Sequence, residues 1–262
     1  MVVAPMGERA PILHMREVDK TFNGGIVALE HMSLDVNEGD FISLLGPSGC
    51  GKSTALRLIA GLMPPTAGRI DWEGGQGADD LGVVFQEPTL MPWATVEKNV
   101  FLPFRLRGQS FAKVRDRIHE VLALVGLENF HKSYPRELSG GMKMRVSIAR
   151  ALVTNPRLIL MDEPFAALDE ITRQKLNDDL LSLKAKTGAT VIFVTHSVFE
   201  SVFLSDRILI MAARPGRVIR EITVDAPYPR GIDWRTAPEY GVIAREASAT
   251  LHGALAQTEA AE

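Results

Sequence analysis

Apolar and polar positions along the chain change period several times, and each change marks an element. Ile12–Val18 alternates, and Ala28–Val36 does so again, with Leu34 and Val36 on one face and Ser33 and Asp35 on the other. Period-two alternation predicts half-buried strands. Asn37-Glu38-Gly39-Asp40 reads as a turn. Phe41–Leu45 is apolar on both faces, the pattern of a strand buried on both sides. From Lys52 the period becomes helical, with Leu56, Ile59 and Ala60 inward and a stop near Gly61 before Pro64-Pro65. Gly68–Trp72 and Leu81–Phe85 predict further strands around a Gly/Asp-rich turn at Glu73–Asp80.

The pattern then turns helical for a long stretch, with segments at Thr95–Leu106, Phe111–Val125 and Gly140–Leu152. Strands resume at Leu158–Met161, Thr190–Thr195, Arg207–Met211 and Val218–Val224, with helices at Asp169–Lys186 and Val198–Leu204. Strands alternating with helices predict an α/β fold with a mostly parallel sheet, beside an antiparallel β region; Met211–Arg217 reads as a strand running into a turn and back out. The expected organisation is a core from residues 1–86 and 158–225, an inserted helical subdomain at 87–157, and a tail at 226–262. That tail begins Pro-rich (Pro227, Pro229), is helical from about Pro238 to Leu255, and frays at Gln257–Glu262; Met1–Pro11 reads as a loose start.

Composition narrows the class. The 262 residues are 46% apolar and 23% charged, the balance of a globular protein with a sizeable core. A net charge of −3 gives no reason to expect a nucleic-acid partner held by bulk charge. Cys50 is the one cysteine, so no internal disulfide can form. No apolar run reaches the about 18–20 residues of a membrane span, and the first ten residues lack a signal-peptide layout.

The richest chemistry lies where Phe41–Leu45 runs into Gly46-Pro47-Ser48-Gly49-Cys50-Gly51-Lys52-Ser53-Thr54. This is the P-loop pattern, with strand, glycine-rich turn and helix start in the required order. Backbone N–H groups can converge there on phosphate oxygens, aided by the positive end of a helix. Lys52 supplies a point charge for the β- and γ-phosphates, and the Ser53 hydroxyl can ligate Mg²⁺. Within the loop, Cys50 is expected to serve through its backbone.

Leu158–Met161 ends in Asp162-Glu163. Taken alone, these are either solvated acids closing a strand or a metal ligand followed by a general base. Beside a P-loop, Asp162 would hold Mg²⁺ and Glu163 would polarise a water. Leu138-Ser139-Gly140-Gly141-Met142 opens another helix, either as an ordinary cap or as a second anion seat. A second seat makes sense if two copies face each other, each closing over the nucleotide of the other.

Together these motifs resemble the ATP-binding cassette of ABC transporters, over roughly Ile12 to Val224. In that family a signature similar to Leu138–Met142 joins the P-loop and the strand ending in Asp162. The resemblance implies that Gln86 contacts Mg²⁺ and relays its state, that Asp169 in Ala167-Leu168-Asp169 lies at the dimer seam, that His196 contacts the γ-phosphate, and that Phe22 stacks on adenine. It implies ATP and Mg²⁺ as cofactors, a homodimer, no nucleic acid, and a position on the cytoplasmic face of the membrane. Met142, Met144 and Ser197 depart from the usual glutamine, glutamine and aspartate; none of these changes removes a phosphate donor, a metal ligand or the base.

A finer resemblance, to the importers of nitrate, sulfonates and taurine, rests on Leu90–Val96 and Met211–Arg217. It implies a permease docking near Gln86–Val96, with Met91 and Trp93 as exposed apolar anchors, and indirectly an extracytoplasmic solute-binding protein. The rival readings are a soluble cassette ATPase acting on DNA or ribosomes, which usually carries a coiled-coil insertion or two cassettes, and a non-hydrolysing nucleotide-gated scaffold.

Overall fold

The computed structural model describes residues 9–75, 80–228 and 230–259, with backbone alone for 255–259. The expected loose start at Met1–Pro11, the turn at Glu73–Asp80, Pro229 and the frayed end at Gln257–Glu262 lie wholly or partly outside the described residues. In chain order the elements are β1 (Pro11–Thr21), β2 (Val27–Asn37), β3 (Phe41–Leu45), α1 (Lys52–Ile59), β4 (Ala67–Trp72), β5 (Leu81–Val84), α2 (Val96–Leu106), α3 (Phe111–Leu124), α4 (Gly140–Leu152), β6 (Leu158–Asp162) and α5 (Glu170–Thr187). They continue as β7 (Val191–Thr195), α6 (Val198–Leu204), β8 (Arg207–Ala212), β9 (Arg217–Thr223), α7 (Ile232–Thr236) and α8 (Pro238–Glu259). The chain forms two units, residues 1–76 with 190–262, and residues 77–189.

In the first unit β3 lies between β7 and β8, parallel to both, and β9 adds antiparallel beyond β8. All five residues of β3 and all five of β7 are buried, so apolar side chains on both faces are what these strands require. Each fully buried Leu, Ile or Phe here contributes about 1.5–3 kcal/mol relative to exposure. The same unit holds a three-stranded antiparallel sheet in the order β2-β1-β4. There Met32, Leu34 and Val36 are buried while Ser33 is exposed, the alternation expected of β2.

In the second unit β5 and β6 pair in parallel, from Leu81↔Leu158 to Val84↔Met161. Helix α4 packs against α2, α3 and β5, and buries Val146, Ile148, Ala149, Ala151 and Leu152. Thr95 caps α2 by accepting from the Lys98 amide, which fixes its start despite Pro103 inside it.

Two features go beyond the sequence pattern. A single 3₁₀ turn at Pro135–Glu137 and the five-residue α7 are too short to show a helical period. Strand β9 runs antiparallel, because only the short turn at 213–216 separates it from β8.

Candidate active site

Strand β3 fixes the approach to the P-loop, since it is held on both sides. Ser48 and Gly49 are exposed at the loop tip, while Gly46 and Cys50 are buried. Helix α1 begins at Lys52, with Gly51 as its N-cap at φ +91°. No side chain caps this helix start and no acid stands in its first turn. By contrast, α2, α4, α5 and α6 are capped by Thr95, Ser139, Asp169 and Ser197. Helix α3 also starts without a side-chain cap or an early acid, so what sets α1 apart as a seat for an outside acceptor is the glycine-rich loop before it and Lys52 over it.

The Lys52 ammonium lies over the loop and donates to Gly46 O and Pro47 O, both at 2.8 Å. Lys52 is 4% exposed, so this cation sits in a partly desolvated seat. Burial pushes the neighbouring Cys50 thiol up, which keeps it neutral. Its backbone N–H donates to Pro47 O at 3.4 Å and closes the turn.

Two glycines let three backbone segments meet beneath the loop. A Cβ on Gly51 would lie 2.5 Å from Ala28 O, and its φ already disfavours other residues. A Cβ on Gly216, in the β8–β9 turn, would lie 2.4 Å from both Ala28 O and Cys50 O. Glu30 N donates to Gly216 O at 2.9 Å, so the turn is tied to β2 as well. The segment Met211–Arg217 thus props the P-loop from below, a role that its sequence did not reveal.

Phe22 stands in the β1–β2 turn, where its N–H donates to Ile26 O at 2.9 Å. Its ring is 39% exposed, and Lys20 Nζ lies 5.6 Å from its centroid. Val27 pairs with Thr21 two residues before the Leu29 side chain that meets Gly51, so this open aromatic face is linked to the P-loop through Ala28.

His196 belongs to the same end of the same sheet. Leu45 and Thr195 are in register on β3 and β7, so the P-loop and His196 leave adjacent strands side by side. His196 is exposed. The bend around it is fixed by Thr195 Oγ1, which accepts from Ser197 N at 3.0 Å and pairs with Glu200 Oε2 at 2.6 Å.

The remaining expected residues belong to the second unit. Asp162 ends β6, and Glu163 follows at φ +46°. That region costs a non-glycine residue roughly 1–2 kcal/mol, and such strain gathers at functional positions. Because β5 and β6 are parallel and in register, Gln86 and the Asp162-Glu163 pair leave the same end of their strands. Gln86 is exposed. Ser139 caps α4, its Oγ accepting from Met142 N at 3.3 Å, and lies exposed with Gly140; Gly141 is half-buried. Asp169 caps α5 by accepting from Thr172 N at 3.0 Å, and that amide hydrogen bond holds its carboxyl below the usual range.

Two residues that escaped the sequence reading shape the stretch after Gln86. Arg150 donates to Pro88 O, Thr89 O and Thr89 Oγ1, each at 2.9 Å. Buried Asn99 accepts from Met91 N at 2.7 Å and donates to Met91 O, Ala94 O and Thr95 O at 3.0–3.2 Å. The signal was an asparagine on the apolar face of a helix, beside Val96 and Val100. Trp93 is 77% exposed, as expected of an anchor, whereas Met91 is half-buried. Both line a groove of about 530 Å³ with Lys98 and Phe101. Among the described residues, no helix is long and apolar enough to cross a membrane.

Comparison with known proteins bears on this arrangement. A family model described as ABC transporter matches residues 29–166. The nitrate import ATP-binding protein NrtD of Synechocystis sp. is 40% identical, over 92% of this chain and 95% of that protein. The aliphatic sulfonates import ATP-binding protein SsuB of Bacillus cereus is 43% identical, over 82% and 87% of the two chains. The taurine import ATP-binding protein TauB of Rhizobium johnstonii is also 43% identical, over 86% and 89%. Among solved structures, the dimeric ATP-binding cassette MJ0796 in a post-hydrolysis state bound to ADP and Pi superposes with a TM-score of 0.70, at 35% identity, covering 82% of this chain and all of that one.

Proposed function

Because this chain belongs to the ABC transporter family, we propose that it is the ATP-hydrolysing subunit of an importer. It works as a cassette dimer and couples ATP binding and hydrolysis to solute transport through a separate permease. Neither soluble-ATPase nor scaffold readings are favoured by the relatives, whose names are those of import ATP-binding proteins. The observation that carries the proposal is the start of α1: preceded by the glycine-rich loop, uncapped, free of acids, and overlaid by the buried Lys52.

Residues Gly46 to Thr54 bind the phosphates of ATP, and Phe22 stacks on its base. Ser53, Gln86 and Asp162 offer hydroxyl, amide and carboxylate oxygens, a donor set that suits Mg²⁺. When bound, the cation neutralises charge on the β- and γ-phosphate oxygens. Glu163 accepts the proton of the attacking water, and His196 donates to the γ-phosphate as charge builds on it. Ser139, Gly140 and Gly141 act on the nucleotide held by the other copy, with Asp169 at the seam between copies.

The subunit is peripheral, on the cytoplasmic face of the membrane. Exposed Trp93 and its groove support docking of the permease along Gln86–Val96, and the nitrate, sulfonate and taurine relatives support a solute-binding protein outside. The test is Glu163→Gln. ATP binding is expected to persist while phosphate release falls about 10²–10³-fold. An unchanged turnover rate would remove Glu163 from the role of base.

A further inference from the structure

Helix α6 begins two residues after His196 and has only seven residues. A helix this short cannot satisfy its own last carbonyls, and its stability must come from outside. Those carbonyls are met by side chains from one later segment. Trp234 Nε1 donates to Val202 O at 3.4 Å, Arg230 Nη1 to Phe203 O at 3.2 Å, and Tyr228 OH to Leu204 O at 3.4 Å. Arg230 Nη1 also donates to Ser205 O, just past the helix, at 2.7 Å.

Near the other end of α6, Tyr240 OH donates to Phe199 O at 2.8 Å, three residues beyond His196. The Tyr240 ring stacks on Phe199, with centroids 6.3 Å apart, and meets Trp234 edge-on at 5.6 Å. Burial pushes the Tyr240 phenol up to about 12, so it stays a donor at any working pH. Five side-chain hydrogen bonds from residues 228–240 therefore hold α6 and the residue following it along their length. The bend that carries His196 is rigidly joined to that helix through Ser197, Thr195 and Glu200.

We propose that Tyr228, Arg230, Trp234 and Tyr240 act as a positioning clamp for His196, with the Tyr240 hydroxyl as its contact closest to that residue in the chain. The clamp sets where the imidazole stands relative to the P-loop on the neighbouring strand. Its hydrogen bonds described above go to α6 and Ser205 rather than to the P-loop, so it governs the hydrolytic step and leaves ATP binding alone. This inference rests on the role given to His196 above.

Tyr240→Phe removes the hydroxyl and keeps both ring contacts. Its kcat for ATP hydrolysis is expected to fall about three- to tenfold, the worth of one hydrogen bond, with KM for ATP unchanged and the unfolding midpoint lowered only by the loss of that one bond. In a His196→Ala background the same substitution is expected to make no further difference, because its effect passes through His196. Wild-type kcat in folded Tyr240→Phe overturns the clamp, and so does an equal loss in the two backgrounds. If Tyr240→Phe does not fold, Trp234→Phe, which loses the donor to Val202 O and part of the edge-on contact with Tyr240, must likewise lower kcat and leave KM for ATP unchanged. Should His196→Ala itself turn over at the wild-type rate, the role of His196 fails first and the clamp with it. A slow His196→Ala beside a normal Tyr240→Phe sinks the clamp alone.

Discussion

At Glu163 and Gly216 single residues carry opposite kinds of constraint. Glu163 holds a carboxylate in a left-handed conformation that its side chain disfavours, directly after a buried strand. Gly216 is required for the space it leaves, since two backbone oxygens lie within 2.4 Å of any Cβ added there. Backbone atoms on two sides cannot step aside as a flexible side chain would. Gly216→Ala is expected to destabilise the protein by about 1–3 kcal/mol and to weaken ATP binding, because one of the crowded oxygens belongs to Cys50 in the P-loop. Denaturant unfolding and nucleotide titration measure both effects; unchanged values for both would show that the turn does not support the loop. The strand, glycine-rich turn and helix start of the P-loop pattern were legible because a phosphate cradle needs fixed residue types at fixed spacing. Gly216, Arg150 and Asn99 were not, since each acts on a partner distant in the chain, and nothing in their local sequence names that partner.

Among the elements, the long periodic ones were readable from the chain, and β3, α4 and α6 fall on their expected bounds. Each of these has a strong local signal: a run apolar on both faces, or a Ser that caps a helix. What the pattern missed are the 3₁₀ turn at Pro135–Glu137 and the five-residue α7. Both are set by packing partners. The segment 88–95 is a third case. It has no regular structure, yet Asn99 on α2 and Arg150 on α4 hold seven of its polar groups. Asn99→Ala leaves part-buried backbone groups at Met91 and Ala94 without this partner. Stability is expected to fall by about 1–3 kcal/mol, and the Met91 amide to exchange its hydrogen faster. A Met91 amide as protected as in the parent would show that the segment holds itself.

For the whole molecule, the proposed division of labour between two copies makes a sharp expectation. Lys52→Ala and Ser139→Arg should each abolish turnover when alone. In a mixed dimer of the two, one composite site carries both lesions and the other carries neither. Mixing the two inactive proteins should restore roughly a quarter of wild-type phosphate release, since about half the dimers are mixed and each has one intact site. A mixture as dead as its components would refute the exchange of Ser139 between copies.

The first unit is assembled from two distant stretches of chain, and β3 takes both of its sheet neighbours, β7 and β8, from the later one. During synthesis β3 leaves the ribosome long before either partner exists. Its four apolar side chains and unpaired edges must wait through the making of residues 77–189, a continuous stretch able to collapse first. The strand that ultimately presents the P-loop is thus the part of the nascent chain most in need of a chaperone's shelter.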